Sequence, residues 1–452
     1  MKLAAAVLAA VLALGGQAAH AAEFSIGPFA SAQYLYDSNV YRFSSQMQRD
    51  VVAGGFPQAA DLADRVHRYV VGAEGGYTIE QQRFTGTVEG RRYDYEDLNT
   101  LDHNERGWGA RYDGGILSVL SMQTEYHDDR RMGTFEDRHT AEPVMEHERI
   151  GKGLFSIAVT PMWHVDLGGS ARMLRSPIPA GVATTVPPGT FPGVSTTTTF
   201  PPRNPMPNYA VHESTGQLGL RYGIENKEHP EVEAPLVMGA VLEYRDISLS
   251  GVERQPDPPV LPPPTQLDRE KFHGYNTLSL EGLATYTVSS LSALEARLGA
   301  TLFNPHEVNQ ESQPELTGRI AYRRRFSVVT EARAEVFRRI ATRDVTAEGT
   351  TETGAGIGLK WQPLLDLLVL ADYSYAQSAY QAGTATPVNK GRSDDVNTAT
   401  LSLGYPFLRY FSVRVFGGWT DRRSNRSWQN FQDKQAGAEL EFRWRQGKEK
   451  TE

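Results

Sequence analysis

Residues 435–444 read QAGAELEFRW and alternate between two kinds of side chain. Successive side chains of an extended strand point to opposite faces, so the apolar members share one face and the polar members share the other. The first face carries Ala436, Ala438, Leu440, Phe442 and Trp444. This face suits lipid, and the opposite face suits water. The period of two predicts an amphipathic β-strand rather than a helix, whose period would be about 3.6.

The same alternation returns in runs of about ten residues along the rest of the chain. It is clearest at 278–286, 294–302, 353–361 and 411–419. Counting such runs predicts about eighteen strands. Their expected ranges are 29–37, 65–77, 83–95, 105–114, 119–128, 148–159, 163–174, 213–224, 236–246, 272–286, 293–303, 315–324, 328–340, 352–361, 367–377, 396–406, 411–421 and 433–444.

Two architectures share this pattern, a soluble β-sandwich and a transmembrane barrel. In a sandwich the apolar faces meet in a core between two sheets. Three features favour the barrel: connections alternate between short and long, charges fill the polar face, and an aromatic residue tends to close the apolar face, as in an interfacial girdle. Those aromatic residues are Tyr77, Tyr222, Tyr244, Tyr286, Trp361, Tyr405, Trp419 and Trp444. The expected fold is an all-β, up-and-down antiparallel barrel of the Gram-negative outer membrane, with both chain ends on the periplasmic side.

The first 21 residues have the pattern of a secretory signal peptide. Lys2 supplies the positive start, the apolar run 3–14 follows, and Ala19-His20-Ala21 forms a small-x-small cleavage site. The run is too short to cross a bilayer, which takes about 20 apolar residues. We therefore expect residues 1–21 to be removed and residues 22–452 to form the barrel.

Composition and motifs argue against several functions. The chain has no cysteine, which excludes thiol catalysis, thiolate metal sites and disulfides, and its net charge of −8 argues against nucleic acid as a partner. The histidines show no metal-ligand spacing. Only His212-Glu213-Ser214 brings a base near a hydroxyl, at a point where a loop enters a strand. We expect no enzyme, no metal and no cofactor.

Two long connections are rich in proline. Residues 175–212 contain nine prolines and residues 247–270 contain six. Because proline cannot donate to a sheet ladder, both segments are expected to leave the barrel wall. Either they fold into the mouth as a gate or they form disordered surface.

Charges of both signs line the inward face expected for neighbouring strands. A ladder of this kind either steers an acidic polymer through the lumen or forms cross-strand ion pairs that hold the wall. Separately, Asp394-Asp395 lies at an expected strand end near the outer rim, where acidic pairs bind cations or are simply solvated. The candidate polymer-contact residues of the ladder are Glu295, Arg297, Arg319, Arg323, Glu331, Arg333, Glu335 and Arg339.

The segment after the first strand reads YDSNVYRF from Tyr36 to Phe43. Asp37, Asn39 and Arg42 are candidate polymer-contact residues within it. They have a second interpretation, in which Asp37 and Asn39 cap turns while Arg42 pairs with the lumen wall and anchors the first loop inside the barrel.

This segment, with Gln82-Arg83-Phe84 and Tyr93-Asp94-Tyr95, resembles the EpsL family of outer-membrane barrels, which are encoded with exopolysaccharide biosynthesis genes. Members of the family often read Asp-Asn-Leu-Phe-Arg-Leu where this chain has Ser38 before Asn39 and then Val40-Tyr41. The resemblance implies passage of a secreted polysaccharide to the cell surface, with a periplasmic polysaccharide-export protein as partner. Two alternatives remain: a diffusion porin for small solutes, and a surface scaffold or adhesin. Contact with outer-membrane lipid and lipopolysaccharide and a monomeric state are also expected.

Overall fold

In a computed structural model the chain forms one closed sheet of 18 strands, each antiparallel to its neighbours. The described residues are 22–53, 60–116, 119–133, 135, 143–176, 209–223, 236–250, 274–306, 312–343, 348–364, 366–381 and 391–444. The expected signal peptide and the expected proline-rich loop regions 177–208 and 251–270 lie outside them.

The strands follow one another around the barrel in chain order. Their bounds are β1 Ala22–Asp37, β2 Asp64–Ile79, β3 Gln82–Tyr95, β4 His103–Ile116, β5 Leu120–Met132, β6 Met145–Ala158, β7 Trp163–Ser176, β8 Tyr209–Tyr222, β9 Leu236–Ser250, β10 Gly274–Ser289, β11 Ser292–Pro305, β12 Gln313–Ser327, β13 Thr330–Arg343, β14 Glu348–Leu364, β15 Leu367–Tyr380, β16 Ser393–Leu408, β17 Phe411–Ser424 and β18 Phe431–Arg443.

Pairing between β1 and β18 closes the sheet, with Phe29 opposite Arg443 and Asp37 opposite Gln435. A closed sheet has no free edge along this junction, which is what a strand structure needs to cross a bilayer. Large apolar side chains are exposed on the outer face, such as Leu280, which is 60% exposed on β10. The expected all-β barrel of eighteen strands is therefore confirmed.

Two-residue connections join many strands at the end of the barrel that carries Ala22 and Arg443. β2 and β3 are separated by residues 80–81, and β10 and β11 by residues 290–291. Short turns and both ends of the sheet mark the periplasmic side of outer-membrane barrels, so the opposite end faces outward.

Several strands are longer than the alternation predicted. β1 begins at Ala22 rather than at residue 29, because Gly27 and Pro28 interrupt the sequence pattern but not the pairing of β1 with β2. Strands also extend into both proline-rich segments, since β7 ends at Ser176, β8 begins at Tyr209 and β9 ends at Ser250.

One helix, α1 from Ser45 to Ala53, lies in the first loop and was not expected. No helix in the described ranges is long and apolar enough to cross a membrane. Met47 on α1 is buried among apolar side chains at the outward end of the barrel, and this packing stabilises the short helix.

Candidate functional site

The cross-strand register identifies which side chains line the lumen. Residues directly opposite each other share a face. Arg319 on β12 lies opposite Arg297 on β11 and Phe337 on β13, and Arg323 lies opposite Arg333. Most apolar residues of the same strands, such as Leu298, Ile320 and Val336, occupy the other face. All eight candidates of the charged ladder therefore line the lumen on β11, β12 and β13.

Most charges of this ladder are paired across strands. Arg319 lies 2.7 Å from Glu335 and 3.6 Å from Glu295. Arg333 reaches Asp372 on β15 at 2.8 Å, Arg339 reaches Glu352 on β14 at 2.9 Å, and Arg325 reaches Glu331 at 3.3 Å. These contacts favour the interpretation in which cross-strand ion pairs of the charged ladder hold the barrel wall together.

Two arginines differ from the others. Within the described part of the chain, Arg297 and Arg323 form no ion pair, and each lies directly opposite another arginine. Like charges placed opposite each other are destabilising unless water or a ligand compensates them. Arg297 and Arg323 are consequently the positions of the ladder best suited to contact an anionic or hydroxyl-rich cargo.

A second charged wall runs from β3 to β9, with β10 between it and the charged ladder. Arg91 on β3 reaches Glu105 at 3.1 Å and Asp129 at 3.4 Å, and farther round Arg245 on β9 reaches Glu213 at 2.7 Å. Part of this wall forms a cleft of about 440 Å³. Its lining includes Arg111, Gln123, Glu125, Lys152, Ser170, Glu213, Thr215, Gln217, Glu243 and Arg245. The sequence analysis missed this wall, although the same alternation places these residues on the polar face.

Arginine and aromatic side chains also pair along the lumen wall. The guanidinium of Arg339 lies 4.9 Å from the ring centre of Phe337, and that of Arg414 lies 5.5 Å from the ring centre of Phe416. Near the periplasmic end, Arg443 lies 5.3 Å from the ring centre of Phe29. Each pair combines an apolar ring with hydrogen-bond donors.

The first-loop candidates form a compact anchor where β1 leaves the wall. Asp37 accepts hydrogen bonds from the Asn39 amide at 2.9 Å and from both terminal nitrogens of Arg42 at 3.0 Å. Arg42 also pairs with Asp433 on β18 at 3.2 Å. Asn39 Nδ2 donates to the carbonyls of Phe43 and Gln432 at 3.0 Å. These are the contacts of the anchoring interpretation, and polymer contact by the same residues stays a prediction.

The anchor holds Arg42 in a left-handed backbone conformation, with φ 57°, which side-chain-bearing residues adopt rarely. Beyond it, an apolar cluster comprises Tyr41, Phe43, Met47, Leu98, Leu101 and Phe135. Burial, with a smaller contribution from Asp64, raises the pKa of the Tyr41 hydroxyl to about 12. The first loop is thus packed into the outward end of the barrel.

Replacing Asp37 with alanine is expected to release the first loop. The carboxylate bonds that disappear are charge-assisted, and each contributes about 1.5–3 kcal/mol. Limited trypsin digestion of the reconstituted protein should then cleave within 42–53 at least about tenfold faster than in the wild type. Asp61→Ala is the matched control, because among the described residues this exposed carboxylate accepts a single hydrogen bond, from the backbone amide of Ala63. Equal cleavage rates for the two variants would contradict the anchoring role.

Asp394 does not behave as the solvated rim charge or cation site considered from the sequence, whereas Asp395 lies near the surface. Asp394 is fully buried between Arg392 and Arg422, with closest contacts of 2.6 and 2.8 Å. The two guanidinium groups lie over the rings of Tyr380 and Phe431. Asp394 is therefore part of a packed ionic cluster on the inner side of the sheet.

His212 does not contact Ser214 as a catalytic pair would. Its Nε2 is hydrogen-bonded to Ser250 on β9 at 2.9 Å. Among the described residues, no group of three or more acidic or histidine side chains is arranged to hold a metal ion.

Comparisons with known proteins give similarity of shape only. No family model and no curated protein matches the sequence. Similar solved structures include the ferric enterobactin receptor of Pseudomonas aeruginosa, with 8% identity, TM-score 0.46, and coverage of 92% of this chain and 80% of that chain. The siderophore receptor PirA of Acinetobacter baumannii has the same four values. OpdQ of Pseudomonas aeruginosa has 9% identity, TM-score 0.43, and coverage of 94% and 98%.

These likenesses assign neither a family nor a cargo. The class follows from the architecture itself: a closed antiparallel barrel with an apolar outer face and a charged inner face is an outer-membrane barrel of a Gram-negative bacterium.

Proposed function

We propose that the protein is an outer-membrane channel that exports an exopolysaccharide from the periplasm to the cell surface. The observation that carries the proposal is the inner wall, which has ion pairs on β11 to β15 and on β3 to β9 and arginine–aromatic pairs on β13 and β17. Conduction requires binding that is weak and repeated along the path. A wall of many small polar and ring contacts offers a sugar chain that kind of binding.

The resemblance of the first-loop segment to the EpsL family supports the same cargo. The barrel has no nucleotide-binding motif in its sequence, so the polymer has to be driven from the periplasmic side. A periplasmic polysaccharide-export protein is the partner that we propose for this step, at the end of the barrel that carries the short turns.

Polysaccharide secretion by strains that carry engineered cysteine variants tests whether the polymer passes through the lumen. The chain has no cysteine of its own, so a thiol reagent reacts only at the engineered position. Deleting the gene should abolish surface polysaccharide while intracellular synthesis continues, and the wild-type gene should restore secretion. In the deletion strain, Gln123→Cys places a thiol in the lumen cleft and Met122→Cys places one on the outer face. A bulky thiol reagent should reduce secretion only with Gln123→Cys. Normal secretion in the deletion strain would rule the proposal out.

A diffusion porin is the second candidate, favoured by the cleft of about 440 Å³, which is large enough for a small solute. Planar-bilayer recording separates the two. A porin should show steady conductance and a size cut-off for small sugars, whereas an export channel should be mostly closed when alone. Steady conductance together with normal polysaccharide secretion in the deletion strain would establish the porin.

A further inference from the structure

The backbone pairing between strands β12 and β13 stops before either strand ends. It runs from Ser327 opposite Thr330 to Gly318 opposite Arg338. Beyond that point, and counting only partners that the structure describes, residues 313–317 of β12 pair with β11 alone and residues 339–343 of β13 pair with β14 alone. The barrel wall therefore has a seam at its outward end, between two strand edges that do not pair with each other.

The tip of the β13–β14 hairpin, residues 339–343 and 348–353, lies away from this seam and inside the lumen. Thr342 Oγ1 lies 2.7 Å from the Tyr275 hydroxyl on β10 and accepts a bond of 3.1 Å from Arg245 on β9. In a continuous wall, β10 and β13 are three strand spacings apart, roughly 14 Å. Direct contact requires the tip to curl away from its place in the wall.

The faces in contact show the direction of the curl. On the hairpin, Ile340, Thr342 and Gly349 belong to the face that elsewhere on β13 and β14 points to lipid. Their partners Tyr275 and Phe303 belong to the lumen face of β10 and β11. The outer face of the tip thus lies against the inner face of the wall, so the tip of the β13–β14 hairpin overlaps strands β10 and β11 on their lumen side.

An apolar patch on the inner wall explains this position. Five neighbouring strands, β7 to β11, each contribute one lumen-facing apolar residue near their outward ends, and all five are at most 1% exposed. Ile340 of the tip packs against them. An apolar patch in a charged lumen would be costly if it were wet, since apolar surface is unfavourable in water. The residues of this mouth patch are Leu174, Val211, Ile247, Tyr275 and Phe303.

We propose that the hairpin tip is a lid with two alternative seats. In the closed seat, the one observed, Ile340 and Thr342 dock on the mouth patch. In the open seat, residues 339–343 return to the edge of β12 and extend the existing ladder. Because Gly318 lies opposite Arg338, continuation of that register places Leu316 opposite Ile340 and Glu315 opposite Ala341.

Arg338 stands at the point where the two seats diverge. Its Nε donates to the Leu316 carbonyl at 3.0 Å, and its terminal nitrogens donate to Glu315 at 2.6 Å and to Thr353 at 3.2 Å. These bonds tether the lid to β12 in the closed seat. Opening replaces apolar contacts with the mouth patch by backbone hydrogen bonds between β12 and β13. This opening does not depend on which cargo the channel carries.

A disulfide between Leu316→Cys and Ile340→Cys tests the open seat. Residues directly opposite in a ladder have Cβ atoms about 4.5–5.5 Å apart, close enough for a disulfide after small adjustment. With no native cysteine, no other disulfide can form. The oxidised double variant should hold the channel open in planar bilayers, and a reductant should return it to intermittent opening. Each single cysteine variant, treated identically, is the control and should not respond to reductant.

A second variant covers the case in which the double variant folds poorly. Thr342→Val keeps the side-chain shape and removes the hydroxyl that binds Tyr275 and Arg245. The ratio of open to closed time should rise about two- to tenfold, the range that loss of one net hydrogen bond allows. An oxidised disulfide without added conductance, or an unchanged ratio in Thr342→Val, would overturn the lid.

Discussion

Replacing Asp394 with alanine is expected to lower the free energy of unfolding by about 3–5 kcal/mol. The carboxylate lies between Arg392 and Arg422, and all three side chains are fully buried. Removing one partner of a buried ion pair leaves the opposite charge without compensation for its lost hydration. Here one carboxylate contacts two buried guanidinium groups, so its removal takes an ion pair from each of them.

Urea unfolding in lipid vesicles measures this effect, provided that unfolding is reversible and cooperative. The matched control is Asp395→Ala, one residue along β16 and on the opposite face, where the carboxylate accepts bonds from Tyr375 and Gln377 near the surface. We expect the control to cost about 1 kcal/mol or less. If both variants unfold at the same midpoint, the buried ionic cluster does not stabilise the barrel.

The strand faces could be predicted from the sequence because the alternation is local. Residues 435–443 fall on β18, with Leu440 outward and Glu439 inward, as the pattern requires, and Trp444 follows the end of the strand. The same rule places Arg319 in the lumen and Leu280 towards lipid. A period of two needs no knowledge of neighbouring strands, since the geometry of one extended chain determines it.

Long-range position could not be predicted in the same way. Alternation puts Ile340 and Thr342 on the lipid face, whereas the structure docks them on the inner wall. The bend depends on contacts with β9 and β10, which are far away in sequence. Asp394 resembles a rim charge in the sequence because Arg422 and the two rings over the arginines come next to it only when strands β15 to β18 pair.

For the candidate site too, the sequence predicts which residues face the lumen but not which of them form ion pairs. Inward placement of Arg297 and Arg323 follows from the alternation, but their lack of an ion pair within the described ranges follows from register. A shift of one residue would have exchanged every facing pair. The residue types therefore predict a charged lumen, and only the pairing shows which charges remain available to a cargo.

Replacing Leu280 with arginine is expected to cost about 2–4 kcal/mol, the penalty for a cation on the lipid face of a barrel near the bilayer midplane. Leu280 lies near the middle of β10 with its side chain outward and 60% exposed. Leu283→Arg makes the same chemical change on the same strand but on the lumen face, near Glu281 and opposite Arg297. We expect it to cost about 1 kcal/mol or less, because repulsion from Arg297 across the strand pair is of that order and water in the lumen hydrates both cations. Unfolding in lipid vesicles compares the two variants, and detergent micelles should narrow the difference because they impose no fixed bilayer thickness. Equal destabilisation in vesicles would mean that the two faces of β10 meet the same solvent, which is incompatible with a barrel that separates lipid from a water-filled lumen.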